Sequence, residues 1–185
     1  MINVKFGNRT TIGYFSIMPS LKILVLRGET SRFHSVRFSG ACPYLPNVIE
    51  LCLAHICIDR FQGWINSPTL TRLKLDNVNK QMITAIAASC IQLDSLCLSN
   101  MSLTTDILLP LFQSCKVISL TFEAIHVRWK ELIKCMQGTL VAETVENLEF
   151  TGCAVIQKDI PPILLDVGFS KLMNASVNGQ KLEMT

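Results

Sequence analysis

The chain has 185 residues, of which 49% are hydrophobic and 17% charged, with a net charge of +3, a mean hydropathy of +0.37 and eight cysteines. This composition can bury a sizeable core and excludes intrinsic disorder. Its apolar stretches break within about ten residues, short of the ~20 that span a membrane, and Lys5 and Arg9 interrupt any secretory signal. We therefore expect reduced cysteines, no membrane association and an intracellular, cytoplasmic or nuclear location.

An apolar spacing of the form L-x-x-L-x-L occurs seven times along the chain. The seven frames begin at Leu21, Val48, Leu70, Leu93, Val117, Val145 and Leu172. Their fourth residues are Leu24, Leu51, Leu73, Leu96, Leu120, Leu148 and Ala175, so successive frames are 22 to 28 residues apart. These periods fall in the range of leucine-rich repeats, and the alternation within each frame predicts a half-buried strand. The expected fold is an α/β leucine-rich-repeat solenoid with about seven repeats, a curved parallel sheet on the concave side, and helices and turns on the convex side.

The segments between the frames predict how the chain connects the end of one strand to the start of the next. Segments 79–90, 104–115 and 127–140 carry apolar residues at helical spacing and predict helices. Segments 59–69 and 158–170 contain Gly63, Pro68, Pro161, Pro162 and Gly168, which predict short turns or single helical turns. We expect a single domain over residues 1–185, with repeats over 21–182, an N-terminal cap over 1–20 and an additional strand within 32–38.

The last frame predicts an uncovered apolar edge. Leu172, Ala175, Val177 and Leu182 would form it, because no further frame follows them. Solenoids normally cover such an edge with a capping unit. The expectation is therefore that the chain self-associates through this end or is a fragment of a longer chain.

Two cysteine motifs give the repeats a family resemblance. The stretch Cys90-Ile91-Gln92-Leu93-Asp94-Ser95-Leu96-Cys97-Leu98 is similar to the C-x-x-L-x-x-L-x-L phrase of F-box leucine-rich-repeat proteins, and Cys42-Pro43-Tyr44-Leu45 resembles the C-P-x-L that opens such repeats. The chain thus resembles the ribonuclease-inhibitor-like and cysteine-containing classes of leucine-rich-repeat protein. It departs from them at the ninth frame position, where only Cys153 matches the usual Asn or Cys, and no stretch before Leu21 resembles an F-box.

The resemblance implies a non-enzymatic protein–protein interaction scaffold. One form of it is the substrate-recognition arm of an F-box-type ubiquitin ligase adaptor. The alternative is a stand-alone regulatory or inhibitory leucine-rich-repeat protein. An enzyme has less support, because the histidines, His34, His55 and His126, lie in no recognisable catalytic motif.

The sequence predicts no catalytic residue, no cofactor and no metal site. Cys52, His55 and Cys57 could supply three ligands, whereas structural zinc uses four in tight spacing. Cys90, Cys115 and Cys153 fall at positions that favour burial, and Cys97 falls at an outward strand position that favours an exposed thiol.

The third, fifth and seventh frame positions point away from the core and predict the partner-binding surface. Its candidate residues are Arg72, Lys74, Asp76, Ser95, Cys97, Ser99, Thr121, Glu123 and Glu149. Residues 1–92 hold ten Lys and Arg against four Asp and Glu, but these bases are spread over different repeats, so nucleic-acid binding is not expected. The sequence assigns Arg72 and Lys74 no intramolecular partner, which favours a protein partner with an acidic surface.

Overall fold

A computed structural model describes residues 1–5, 20–28, 34–36, 45–58, 61, 65, 67–89 and 91–183 of the chain. In these residues the fold is α/β, with a mostly parallel nine-stranded sheet, a two-stranded sheet and five α-helices. The predicted α/β class and the predicted parallel sheet are confirmed.

The strands of the large sheet follow one another in chain order. In spatial order they are β1 (Ile2–Lys5), β2 (Ile23–Arg27), β4 (Glu50–Ala54), β6 (Arg72–Asp76), β7 (Gln92–Ser99), β8 (Lys116–Glu123), β9 (Asn147–Thr151), β10 (Asn174–Val177) and β11 (Gln180–Lys181). The strand expected within 32–38 is β3 (His34–Val36), but it pairs with β5 (Ile56–Ile58) in the small sheet. Most of the segment expected to form an N-terminal cap lies outside the described residues.

The strands pair in the register that the frames predict. Leu24, Leu51, Leu73, Leu96, Leu120, Leu148 and Ala175 are direct neighbours along the sheet. All seven are buried, as are Leu75, Leu98 and Phe122 two positions later. The alternate residues of these strands lie on the opposite side of the sheet, which we call the open face.

Five α-helices connect the strands: α1 (Lys80–Ser89), α2 (Thr105–Ser114), α3 (Trp129–Lys134), α4 (Leu140–Thr144) and α5 (Ile160–Val167), the last preceded by a 3-10 turn (Gln157–Asp159). The three predicted helical segments are confirmed. At the start of α1 the Met82 N–H donates to Asn79 Oδ1 at 3.1 Å, which satisfies a donor that the first turn leaves unpaired.

Helix α5 corrects the expectation of short turns over 158–170. Its two prolines lie in the first helical turn, where no backbone N–H is required, and Gly168 ends it in the left-handed conformation at φ 68°. The prolines therefore begin this helix rather than prevent it. Most of segment 59–69 lies outside the described residues.

The inward strand residues and the buried helix residues form one hydrophobic core. Within it Trp129 of α3 packs against Phe122 and Phe150 of neighbouring strands, with ring centroids 5.7 and 4.9 Å away. Cys115 and Cys153 are buried as predicted, whereas Cys90 lies outside the described residues. None of the described helices is both long enough and apolar enough to cross a membrane.

A left-handed residue follows each of four neighbouring strands. His55, Asn77, Asn100 and Ala124 have φ between 48° and 54°. Each donates its N–H to the carbonyl of the last residue of the next strand, at 2.8 to 2.9 Å. The hydrogen-bonded ladder thus extends one residue beyond the strands, and the following loops leave the sheet in the same direction.

The chain covers its last frame with a hairpin, which corrects the expectation of an open apolar edge. Asn178 and Gly179 have φ of 50° and 77°, as a two-residue hairpin turn requires, and β11 pairs antiparallel to β10. The Leu182 N–H then donates to the Ala175 carbonyl at 2.8 Å. Ala175, Val177 and Leu182 are buried and Leu172 is partly buried against the core, so these residues do not form an open edge. Self-association of the chain stays a prediction.

Candidate binding surface

All nine predicted surface residues lie on the open face, on four adjacent strands. Arg72, Lys74 and Asp76 are on β6, Ser95, Cys97 and Ser99 on β7, Thr121 and Glu123 on β8, and Glu149 on β9. The register forms one row from Lys74 through Cys97 and Thr121 to Glu149, and another from Asp76 through Ser99 to Glu123.

An ion pair joins β6 to β8 across the intervening strand. Lys74 Nζ lies 2.6 Å from Glu123 Oε2, and both side chains are about two-fifths exposed (41% and 39%). The hydrogen bond to Lys74 is the main cause that lowers the pKa of Glu123, and the hydrogen bond to Glu123 raises the pKa of Lys74. The two groups are therefore charged together at neutral pH.

Arg72 also has an intramolecular partner. Its Nη1 lies 3.4 Å from Glu50 Oε2 on the adjacent strand β4, and the two side chains are 60% and 35% exposed. The expectation that Arg72 and Lys74 lack partners within the chain is thus wrong. The cause is the register, which sets Glu50 directly opposite Arg72 and leaves Glu123 within reach of the long Lys74 side chain.

Asn100 closes a polar network at the carboxyl end of these strands. Its Nδ2 donates to Asp76 Oδ1 at 2.9 Å and to Ser99 Oγ at 3.0 Å. Ser99 is only 1% exposed and its hydroxyl also hydrogen-bonds to Glu123. Ser99 therefore holds the network together and offers a partner almost no surface.

Cys97 is half-buried within this network, not the exposed thiol that its strand position predicts. Its Sγ lies 3.8 Å from Glu123 Oε2. Burial is the main cause that raises the pKa of Cys97 to about 11. Burial likewise raises the pKa of Cys52, one strand beyond Lys74, although Arg27 and Lys74 oppose that shift. Both thiols stay protonated at neutral pH, which makes them poor nucleophiles.

Four hydroxyl side chains extend the open face from β7 to β10. Ser95, Ser119, Thr121 and Ser176 are half-buried, and none has a hydrogen-bond partner among the described residues. Next to them Asn174 Nδ2 donates to Asn147 Oδ1 at 2.9 Å, and Thr151 Oγ1 donates to Glu149 Oε1 at 3.1 Å. This part of the face presents both hydrogen-bond donors and hydrogen-bond acceptors, and Glu149 adds a negative charge to it.

The sequence analysis did not predict two contacts of the surface. Glu50 stands at the third frame position, as Arg72 does, so alignment of the frames sets the two residues side by side. Asn100 directly follows its frame, and only the left-handed backbone at φ 50° turns its amide toward Asp76 and Ser99.

His55 and Cys57, two of the three residues weighed as metal ligands, form hydrogen bonds with neighbouring amide side chains. His55 Nδ1 lies 3.0 Å from Asn77 Nδ2, and the Asn79 amide donates to Cys57 Sγ at 2.6 Å. No group of three or more His, Cys, Asp and Glu residues that could hold a metal occurs in the described ranges. His126 is an exposed residue in an isolated bridge to Ser102.

Comparison of the chain with protein family models, curated proteins and solved structures finds no match.

Proposed function

We propose that this chain is a leucine-rich-repeat protein, non-enzymatic, whose open face binds a protein partner. The seven regularly spaced frames, their alignment along one sheet and the repeated left-handed residue after the strands support the repeat assignment. Such sheets present extended binding surfaces rather than enclosed pockets.

The four unpartnered hydroxyls carry the binding proposal. These four hydroxyls are partly exposed and lie together on adjacent or nearby strands, so they are available to hydrogen-bond with another molecule. A partner that places hydrogen-bond acceptors and donors against strands β7 to β10 would form hydrogen bonds with these hydroxyls.

The intramolecular ion pairs change the expected chemistry of that partner. Arg72 and Lys74 are each matched by a carboxylate, so the centre of the face is close to neutral. We therefore propose a partner held mainly by hydrogen bonds on the hydroxyl side, with the Lys74–Glu123 pair at the border of the interface. Exposed ion pairs of this kind contribute to orientation and association rate more than to affinity.

Affinity capture with matched variants tests the proposal. Thr121→Arg places a long charged side chain in the middle of the open face, whereas Thr84→Arg makes the same change on the exposed side of α1. We expect a partner captured by the unmodified chain to be retained by the Thr84 variant and lost by the Thr121 variant, with equal melting temperatures for both. Retention by both variants would refute binding through the open face.

A further inference from the structure

A groove of about 630 Å³ runs along the loops that follow β6, β7 and β8, at the edge of the sheet rather than on the open face. Val78, Met101 and Ala124 give it apolar walls, and Lys80 and His126 are exposed beside them. A groove of this volume is the size of an ordinary small-ligand site.

Several hydrogen-bond donors among the residues that line the groove have no acceptor in the described part of the chain. The backbone N–H groups of Val78 and Met101 donate to no acceptor within the described part of the chain. In the same part of the chain Lys80 forms no ion pair, and the His126 ring has no hydrogen-bond partner. Buried or partly buried N–H groups are rarely left unpaired, so an acceptor from another molecule fits this site.

The nearby acids are already engaged. Asp76 accepts from the Asn100 amide, and Glu123 is paired with Lys74. The ion pair compensates the charge of Glu123, whereas the hydrogen bond from a neutral amide leaves Asp76 charged. Lys80, which pairs with no carboxylate among the described residues, supplies the positive charge that attracts an anion.

We propose that this groove binds a carboxylate side chain on an extended segment of a polypeptide. The single full cation matches a single negative charge, the N–H groups match carboxylate oxygens, and the walls formed by Val78 and Met101 suit the methylene groups of a glutamate. The site goes beyond the proposed function because it lies at the carboxyl ends of the strands, where it shares Asn100 with the open face, and it uses none of the four hydroxyls.

The test uses the full chain labelled with ¹⁵N and titrated with a hexapeptide of glutamate. We expect the amide signals of Val78 and Met101 to shift with saturation, and Lys80→Glu to weaken binding about tenfold or more, as loss of a charge-assisted contact does. Lys80 is exposed at the start of α1, where a carboxylate is favourable, so this variant should fold.

Lys116→Glu is the matched control, because Lys116 is equally exposed but lies at the opposite end of the strands. We expect it to change the affinity less than twofold, and a glutamine hexapeptide to cause no saturable shifts. Equal weakening by both variants would overturn the proposal in favour of diffuse attraction. Tighter binding of inorganic phosphate than of the glutamate peptide would overturn the assignment of a carboxylate.

Discussion

Shortening the Leu96 side chain to alanine should remove a large part of the free energy of unfolding of this chain. Leu96 is 1% exposed and lies between Leu73 and Leu120 in the register of the sheet. Leu96→Ala deletes three carbon atoms, which corresponds to about 2.4 kcal/mol of transfer free energy at ~0.8 kcal/mol per carbon. Hydrogen-bonded strands on both sides resist collapse into the space, so a cavity contribution brings the expected loss to ~3–5 kcal/mol.

Urea unfolding measured by circular dichroism and by tryptophan fluorescence gives this loss. Trp129 is buried against Phe122, so its emission reports the core next to the mutated strand. The control is Ser95→Ala, one residue away on the open face, which should cost well under ~1 kcal/mol. Equal losses for the two variants, at an unchanged dependence on urea, would refute the assignment of inward and outward positions.

Three further predictions concern single residues. Burial raises the pKa of Cys97 to about 11 from an ordinary 9.0, so iodoacetamide at pH 8 should alkylate it about a hundredfold more slowly than a free thiol. The free energy of unfolding should fall as pH rises above 9, because the thiol then ionises more readily in the unfolded chain than in the folded one. Gly28→Ala should cost ~1–3 kcal/mol or more in a thermal melt, because its Cβ would overlap the carbonyl oxygen of His55. Lys74→Glu should lower the free energy of unfolding by at most ~1 kcal/mol, and adding Glu123→Lys should restore it. In the native chain the stabilisation by this ion pair should disappear as pH falls through the lowered pKa of Glu123.

The strand positions could be predicted because a simple physical rule governs them. A strand buried on one side alternates apolar and polar residues, and one repeated spacing aligns the strands, so the rows from Leu24 to Ala175 follow from the sequence. The sequence Asn178-Gly179 is also a strong hairpin signal, but it lies outside the repeated spacing, which predicts only the parallel strands.

The ion pair between Lys74 and Glu123 could not be predicted in the same way. Frame alignment places Glu123 two strands away from Lys74 and two residues further along the strand, a backbone separation of about 12 Å at the ordinary strand spacing and rise. Whether a lysine crosses that distance depends on its rotamer and on the half-buried Cys97 between the strands. The burial of Ser99 depends in turn on the turn geometry at Asn100, which the frame does not encode.

The chain order of the strands has a consequence for how this protein folds. The parallel strand pairs of the large sheet from β2 to β10 join residues 22 to 28 positions apart, however long the sheet becomes. The entropy lost on closing a loop depends on its length, so every successive pairing meets nearly the same barrier. Folding can therefore begin at any adjacent pair and extend in both directions, and the rate should depend on the best nucleating pair rather than on the total number of strands.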